Sequence, residues 1–191
     1  MPVINATIDG VAVEIEEGCT GTQYYESRSD VVAMTVDGNA WDLSREIPAY
    51  AIVEAITLNS PAGLEILRHS CTHVMAQAVQ EIFPDVNLGI GPFITDGFYY
   101  DFGNIDSVTP ELMRDIDKRM KRIVKEGQTF RRRVVTEEEA REELADQPFK
   151  LELISTKGGG AQDASVEVGG AELTIYDNVR RDGTTAWKDL C

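Results

Sequence analysis

Histidine is almost missing from this chain: its 191 residues contain two. Cysteine is nearly as scarce, occurring only as Cys19, Cys71 and Cys191. Three thiols so far apart in sequence exclude a disulfide framework and point to a reducing compartment, so a cytoplasmic protein is expected. No apolar run approaches the length of a membrane span, and the expectation is of no membrane association. The opening residues, Met1-Pro2-Val3-Ile4-Asn5, lack the basic stretch and apolar core of a secretory signal. Positive charge is also short: 18 Lys and Arg stand against 33 Asp and Glu, a net charge of −15. A polyanion of this kind repels nucleic-acid phosphates over most of its surface.

What positive charge there is lies close together. From Arg114 to Arg133 there are nine basic residues and three acidic ones, a local balance of +6. Such a run is either the solvated face of a helix or a contact patch for phosphate, and charge alone does not separate the two.

Residues 3–58 read as a small β-rich unit carrying −8, with ten acidic residues against Arg28 and Arg45. Val3–Ile8, Val11–Ile15, Val31–Val36 and Ile52–Leu58 alternate or are β-branched, as strands are. Asp9-Gly10 and Asp37-Gly38 are turn pairs that tolerate positive φ. Cys19–Tyr25 has room for one short helix. Asn59-Ser60-Pro61 then ends the last strand and opens a helix, with Ser60 as N-cap and Pro61 in the first turn. That helix is predicted to run to about Phe83.

Beyond it, Leu88–Ile94 and Gly97–Phe102 are glycine-punctuated extended segments. Thr109-Pro110 opens an amphipathic helix that Gly127 stops, Thr129–Val135 is a strand, and Thr136-x-x-Glu139 is a capping box. Phe149–Ile154 alternates Phe149, Leu151 and Leu153 with Lys150 and Glu152, which predicts a half-buried strand. Ser155–Gly170 is glycine-rich and expected to be a mobile loop, and Ala171–Tyr176 is expected as a further strand. The fold class is therefore α+β: a small mixed sheet with one helix, residues 1–60, then a larger α+β domain with antiparallel sheet and a long helix, residues 61–191.

The two histidines, His69 and His73, share that long helix at a spacing of four, which places both rings on one face. With Leu64 set at zero, Leu64, Leu67, Cys71, Val74, Met75, Ala78 and Ile82 form a stripe near about 340°, and the histidines lie at about 140° and 180°. The expectation is that the pair faces away from the core that the helix covers. Three readings stay open: a functional pair, an exposed pair, or a pair packed in a core. Two helical imidazoles can begin a metal site or share acid–base work near neutral pH. Cys191, with Asp189 two residues before it, offers a third group, so zinc at His69, His73 and Cys191 is one alternative.

The string Leu64-Glu65-Ile66-Leu67-Arg68-His69-Ser70-Cys71-Thr72-His73 resembles the opening of the editing domain of bacterial-type threonyl-tRNA synthetases. Leu88-Gly89-Ile90-Gly91-Pro92 and Asp96-Gly97-Phe98-Tyr99-Tyr100-Asp101 resemble the strands that follow it there. Trp187-Lys188-Asp189-Leu190-Cys191 is similar to the family's Asp-x-Cys, which normally continues into Arg-Gly-Pro-His. The residues before the long helix resemble a TGS domain, a β-grasp module. Four ordered motifs cover nearly the whole chain. The histidine spacing also occurs in alanyl-tRNA synthetase editing domains; the TGS-like front and the Gly-Phe-Tyr-Tyr-Asp segment favour the threonyl family.

This resemblance implies hydrolysis of mischarged Ser-tRNA(Thr), with the 3′ end of tRNA-Thr as partner. It implies His69, His73 and Lys150 as catalytic residues, and Tyr99, Tyr100, Asp189 and Cys191 as substrate-binding residues. Lys150 is equally well read as the exposed side of its strand, and the tyrosines as ordinary sheet residues. No cofactor is expected for editing. ATP, magnesium and a catalytic zinc belong to aminoacylation, whose domains, like the dimer contacts of the family, are expected outside this sequence. The family's final pocket histidine is expected there too. The alternative to an editing enzyme is a non-catalytic tRNA-binding or regulatory module using the Arg114–Arg133 segment.

Overall fold

The computed structural model describes residues 2–158 and 173–190, the side chains of 156–158 excepted. The chain divides into two compact units, residues 1–68 and 69–191.

In the first unit the Asp9-Gly10 and Asp37-Gly38 pairs do what their residue types require. Asp9 and Gly10 take φ of 49° and 79°, Asp37 and Gly38 49° and 80°. Paired positive φ gives the turn whose twist matches two antiparallel strands. The first turn joins β1 (Val3–Ile8) to β2 (Val11–Glu16). The second joins β3 (Val31–Val36) to β4 (Asn39–Trp41), a strand too short to show any alternation in the sequence. Between the hairpins lies α1 (Gly21–Tyr24), opened by a capping box of Thr20 and Gln23. β5 (Ile52–Thr57) completes a sheet of order β2-β1-β5-β3-β4, in which β1 and β5 run parallel and the other pairs antiparallel. This is the β-grasp arrangement. Ile8, Met34, Val36, Ile47 and Val53 form its core, with Tyr25 packed among them.

The division between the units falls within α2 (Pro61–Ile82). Ser60 caps the helix as expected: its hydroxyl accepts from the Gly63 N–H at 3.0 Å and donates to the Thr57 carbonyl at 2.7 Å.

Four two-residue strands follow: β6 (Asn87–Leu88), β7 (Phe93–Ile94), β8 (Gly97–Phe98) and β9 (Phe102–Gly103). They pair as two antiparallel ribbons, β6 with β9 and β7 with β8. The extended segments expected here are thus shorter and more broken, as their glycines dictate. α3 (Pro110–Glu126) is capped by Thr109 and stopped by Gly127 in the left-handed region. β10 (Thr129–Val135), β11 (Leu173–Val179) and β12 (Thr185–Leu190) form an antiparallel sheet in that order. α4 (Glu137–Glu143) begins with the Thr136–Glu139 capping box, and α5 (Pro148–Gly158) follows.

α5 corrects one expectation: Phe149–Ile154 is helix, not strand. Six residues are too few to tell a period of 2.0 from 3.6. Pro148 in the first turn was the deciding local signal, since a missing N–H costs nothing there. Gln147 anchors that end: its side chain accepts from the Leu88 N–H at 2.8 Å and donates to the Val86 carbonyl at 3.2 Å. Helical geometry puts Lys150 and Ile154 on one buried face. The expected loop Ser155–Gly170 begins within this helix, and its remainder lies outside the described residues.

One face of the β10-β11-β12 sheet packs Ile175 and Leu190 against Ala140, Leu144 and Ile154 of α4 and α5. The opposite face carries Phe130, Tyr176 and Trp187 to within 5.6–6.3 Å of the His73 ring, measured between ring centroids. Among the described residues, no helix is long and apolar enough to cross a membrane.

Candidate active site

The histidine face of α2 is its buried face, which overturns the expectation drawn from the apolar stripe. Thr72, His73, Ala76, Gln77 and Val79 are buried, whereas Leu64 and Leu67 are 39% and 42% exposed. The stripe misleads because the polar residues opposite it find partners inside the fold, which removes the cost of burying them. Gln77 Oε1 accepts from Asn178 Nδ2 at 2.7 Å, and the Thr72 hydroxyl donates to the His69 carbonyl at 2.7 Å. Gln80 Oε1 accepts from the Trp187 indole N–H at 2.6 Å.

The two imidazoles meet through their Nε2 atoms, 3.2 Å apart, with the rings nearly perpendicular at 77°. Burial lowers the pKa of His69 below its ordinary value; the nearby Asp189 carboxylate works against this shift and the Lys150 ammonium with it. His73 is buried, and this desolvation, with His69 and Lys150 pushing the same way, holds its pKa well below 6.5. Both rings are therefore neutral at neutral pH, and one donates its N–H to the other. His73 Nδ1 is buried and has no hydrogen-bond partner among the described residues. A stranded N–H is the rarer defect in proteins, so the proton is assigned to His73 Nε2, donating to His69 Nε2. The other nitrogen of His69 is then an N–H.

Lys150 and Asp189 form a fully buried ion pair at 3.0 Å, their side chains 1% and 3% exposed. Asp189 Oδ2 also accepts from the Tyr100 hydroxyl at 2.8 Å, and Oδ1 from the Leu190 N–H at 2.8 Å. Tyr100 stacks on Phe102 at 4.7 Å and lies 5.7 Å beneath the Lys150 ammonium. Two buried opposite charges, each with further partners, are the condition under which burial is tolerated.

His69, His73, Lys150, Tyr100 and Asp189 thus come together. Tyr99 does not: it is 47% exposed and outside this cluster. Cys191 lies outside the described residues. Among the described residues no group of three His, Cys, Asp or Glu side chains is placed to hold a metal ion. The aromatic walls Phe130 and Tyr176 and the Gln77–Asn178 pair escaped the sequence reading, because only strand register brings them under α2.

The basic segment proves to be largely spoken for. Glu81 binds Arg119 and Arg122, Glu111 binds Arg114, and Asp117 binds Lys121. Asp177 binds Arg131 and Arg133, and Glu143 binds Arg133 and Lys188. Lys118 and Lys125 have no ion pair among the described residues.

With the geometry in hand, the chain's relatives are informative. No family model matches the chain. It is 67% identical over 178 residues to the threonine–tRNA ligase of Cutibacterium acnes, covering 93% of this chain and 26% of that protein. It is 53% identical over 189 residues to the threonine–tRNA ligase of Micrococcus luteus, covering 97% and 28%. The threonine–tRNA ligase of Thermobifida fusca is 50% identical over 196 residues, covering all of this chain and 30% of that protein. These relatives are aminoacyl-tRNA ligases. The chain belongs to their family, the threonine–tRNA ligases, and spans less than a third of the length of the relatives it matches.

Proposed function

We propose that the pocket of His69, His73, Lys150, Tyr100 and Asp189 hydrolyses the ester of Ser-tRNA(Thr). The observation that carries this reading is a pair of neutral, mutually bonded imidazoles beside a buried ammonium–carboxylate pair on one sheet face. The chemical need is plain. Serine lacks only one methyl of threonine, and one methyl in a binding pocket discriminates by about 1–3 kcal/mol, too little for accurate decoding. A second pocket that destroys the smaller ester supplies the rest.

In this reading the outer N–H of His69 orients a water on the ester carbonyl, and His73 fixes the tautomer and tilt of His69 from behind. The water attacks the carbonyl carbon, the bond to the ribose oxygen breaks, and the water's proton reaches that oxygen through the neighbouring ribose hydroxyl. Lys150 stabilises the oxyanion as it develops. Asp189, held by Tyr100, takes the serine ammonium, and Cys191, two residues further along the sequence, is proposed as a second substrate-binding residue. Threonine is refused by the crowding of its extra methyl. The chemistry calls on water alone and no metal.

The domains of the parent protein are read as a TGS domain over residues 1–60 and an editing domain over 61–191. The parent's joining of threonine to tRNA-Thr with ATP, and its assembly as a homodimer, belong to the same proposal. The test is deacylation of Ser-tRNA(Thr) and Thr-tRNA(Thr) by the purified chain. His69→Ala and His73→Ala are each expected to lower the rate on Ser-tRNA at least about 100-fold. Undiminished turnover in either variant refutes its role. Salt-sensitive binding without turnover by the unaltered chain supports the non-catalytic module instead.

A further inference from the structure

Two buried side-chain atoms beneath α2 have no hydrogen-bond partner among the described residues: His73 Nδ1 and Asn178 Oδ1. Their residues are 6% and 1% exposed, and buried polar atoms are so regularly bonded that each orphan calls for a reason. Strand register brings the two together. Asn178 on β11 is opposite Phe130 on β10 and Trp187 on β12, and Tyr176 precedes it by two residues on the same sheet face. The rings of these three neighbours all lie 5.6–6.3 Å from the His73 ring. His73 therefore sits over the position that Asn178 occupies in the sheet. Gln77, one helical turn along α2, binds the Asn178 amide at 2.7 Å.

The direction of that amide follows from charge further along the helix. Glu81 is bound by Arg119 and Arg122, so it is a carboxylate that only accepts. Gln77 Nε2 donates to it at 3.5 Å, which leaves Gln77 Oε1 to accept from Asn178 Nδ2. Asn178 Oδ1 is thereby turned away from Gln77. His73 Nδ1 is an acceptor too, since the proton of that ring is on Nε2. Two acceptors cannot bond each other, but a water has one proton for each of them.

We infer that Asn178 is a positioning residue for the histidine pair, acting through one internal water that donates to its Oδ1 and to His73 Nδ1. The consequence for rate rests on the editing function proposed above; the link to His73 does not. With Nε2 on His69 and Nδ1 on the water, the His73 ring is held at both nitrogens and keeps one orientation. His69 then meets a donor of fixed direction. Asn178 reaches the histidines only through strand register, so no spacing in the sequence marks it.

The experiment compares the whole chain with the double variant Gln77→Met, Asn178→Leu. Replacing both partners of the amide pair by apolar groups of similar size leaves neither stranded, so the fold is retained. Nitrogen NMR of the histidine rings reads the link directly, because a ring nitrogen that accepts a hydrogen bond resonates upfield of one that accepts none. His73 Nδ1 is expected to move downfield in the double variant. In deacylation of Ser-tRNA(Thr), kcat is expected to fall about ten-fold, the effect of one lost hydrogen bond, with KM changed less than about two-fold. An Nδ1 resonance that is the same in both chains overturns the inference. So does a proton on Nδ1 in the unaltered chain, since a water cannot donate to a protonated nitrogen. A downfield shift with unchanged kcat, or a loss confined to KM, also overturns it, because Asn178 then does not position the reacting pair. If the unaltered chain does not hydrolyse Ser-tRNA(Thr), the editing proposal fails, and the nitrogen shift still decides the link between Asn178 and His73.

Discussion

Lys150 is a structural residue and, under the proposed editing function, a chemical one as well. Its ammonium and the Asp189 carboxylate are buried together, and each relies on the other for most of its compensation. Lys150→Met leaves the carboxylate with only the Tyr100 hydroxyl and the Leu190 N–H, and removing one partner of a buried pair costs about 3–5 kcal/mol. Replacing both charges by apolar groups of similar size is a different matter and is often neutral. The single variant is therefore expected to unfold at markedly lower urea concentration. The double variant Lys150→Met with Asp189→Leu is expected to regain most of the lost stability, and under the proposed function neither variant is expected to hydrolyse Ser-tRNA. Urea midpoints beside deacylation rates separate the two roles. A double variant as unstable as the single would show that the pair's geometry, not its charge balance, holds this part of the fold.

At the level of elements, the first unit was the more legible in the sequence. Its hairpins carry Asp-Gly turns and its strands alternate, so local chemistry and tertiary structure agree. α2 and α5 were harder because tertiary partners reverse the local signal. The apolar stripe of α2 marks a face that stays largely exposed near its start, and the buried face is polar because β11 and β12 supply Asn178 and Trp187 as partners. Lys150 looked like the wet side of a strand and is the buried side of a helix. The histidines themselves were legible by rarity and spacing; the row of side chains beneath them depends on register between strands far apart in sequence.

The glycine-rich segment before β7 has its own role in the site. A Cβ on Gly91 would lie 2.2 Å from the Tyr100 ring. That ring is confined by its stacking on Phe102 and by its hydroxyl on Asp189, so it has little room to yield. Gly91→Ala is expected to displace Tyr100 from Asp189 and lower hydrolysis about ten-fold, the effect of losing a hydrogen bond to a charged group. Tyr100→Phe deletes the same bond directly. The two losses should not add when combined, because both act through one hydroxyl. Additive losses in the rate would place the effect of Gly91 elsewhere.

Across the whole molecule, acid should act on the second unit through two separate windows. His73, and to a lesser degree His69, have pKa values depressed by burial, so the unfolded chain binds their protons at a higher pH than the folded one. Stability is then full above about pH 6.5 and declines as pH falls toward the folded value, at about 1.4 kcal/mol per pH unit for each proton taken up only on unfolding. Glu143 works in the other range. Arg133 and Lys188 hold its carboxyl at about 2, below the ordinary 4.5. Its contribution is complete above 4.5 and is lost as pH falls to about 2. The first unit has no histidine, so the upper window should be confined to amides of residues 69–191 in hydrogen exchange. His73→Phe, which keeps a ring among Phe130, Tyr176 and Trp187, is expected to flatten the decline below pH 6.5 and leave the lower window intact. Glu143→Gln should do the reverse. An unchanged pH profile in His73→Phe would mean that the ring is already charged, or already solvated, in the folded protein, and the neutral imidazole pair on which the proposed hydrolytic chemistry depends would be lost with it.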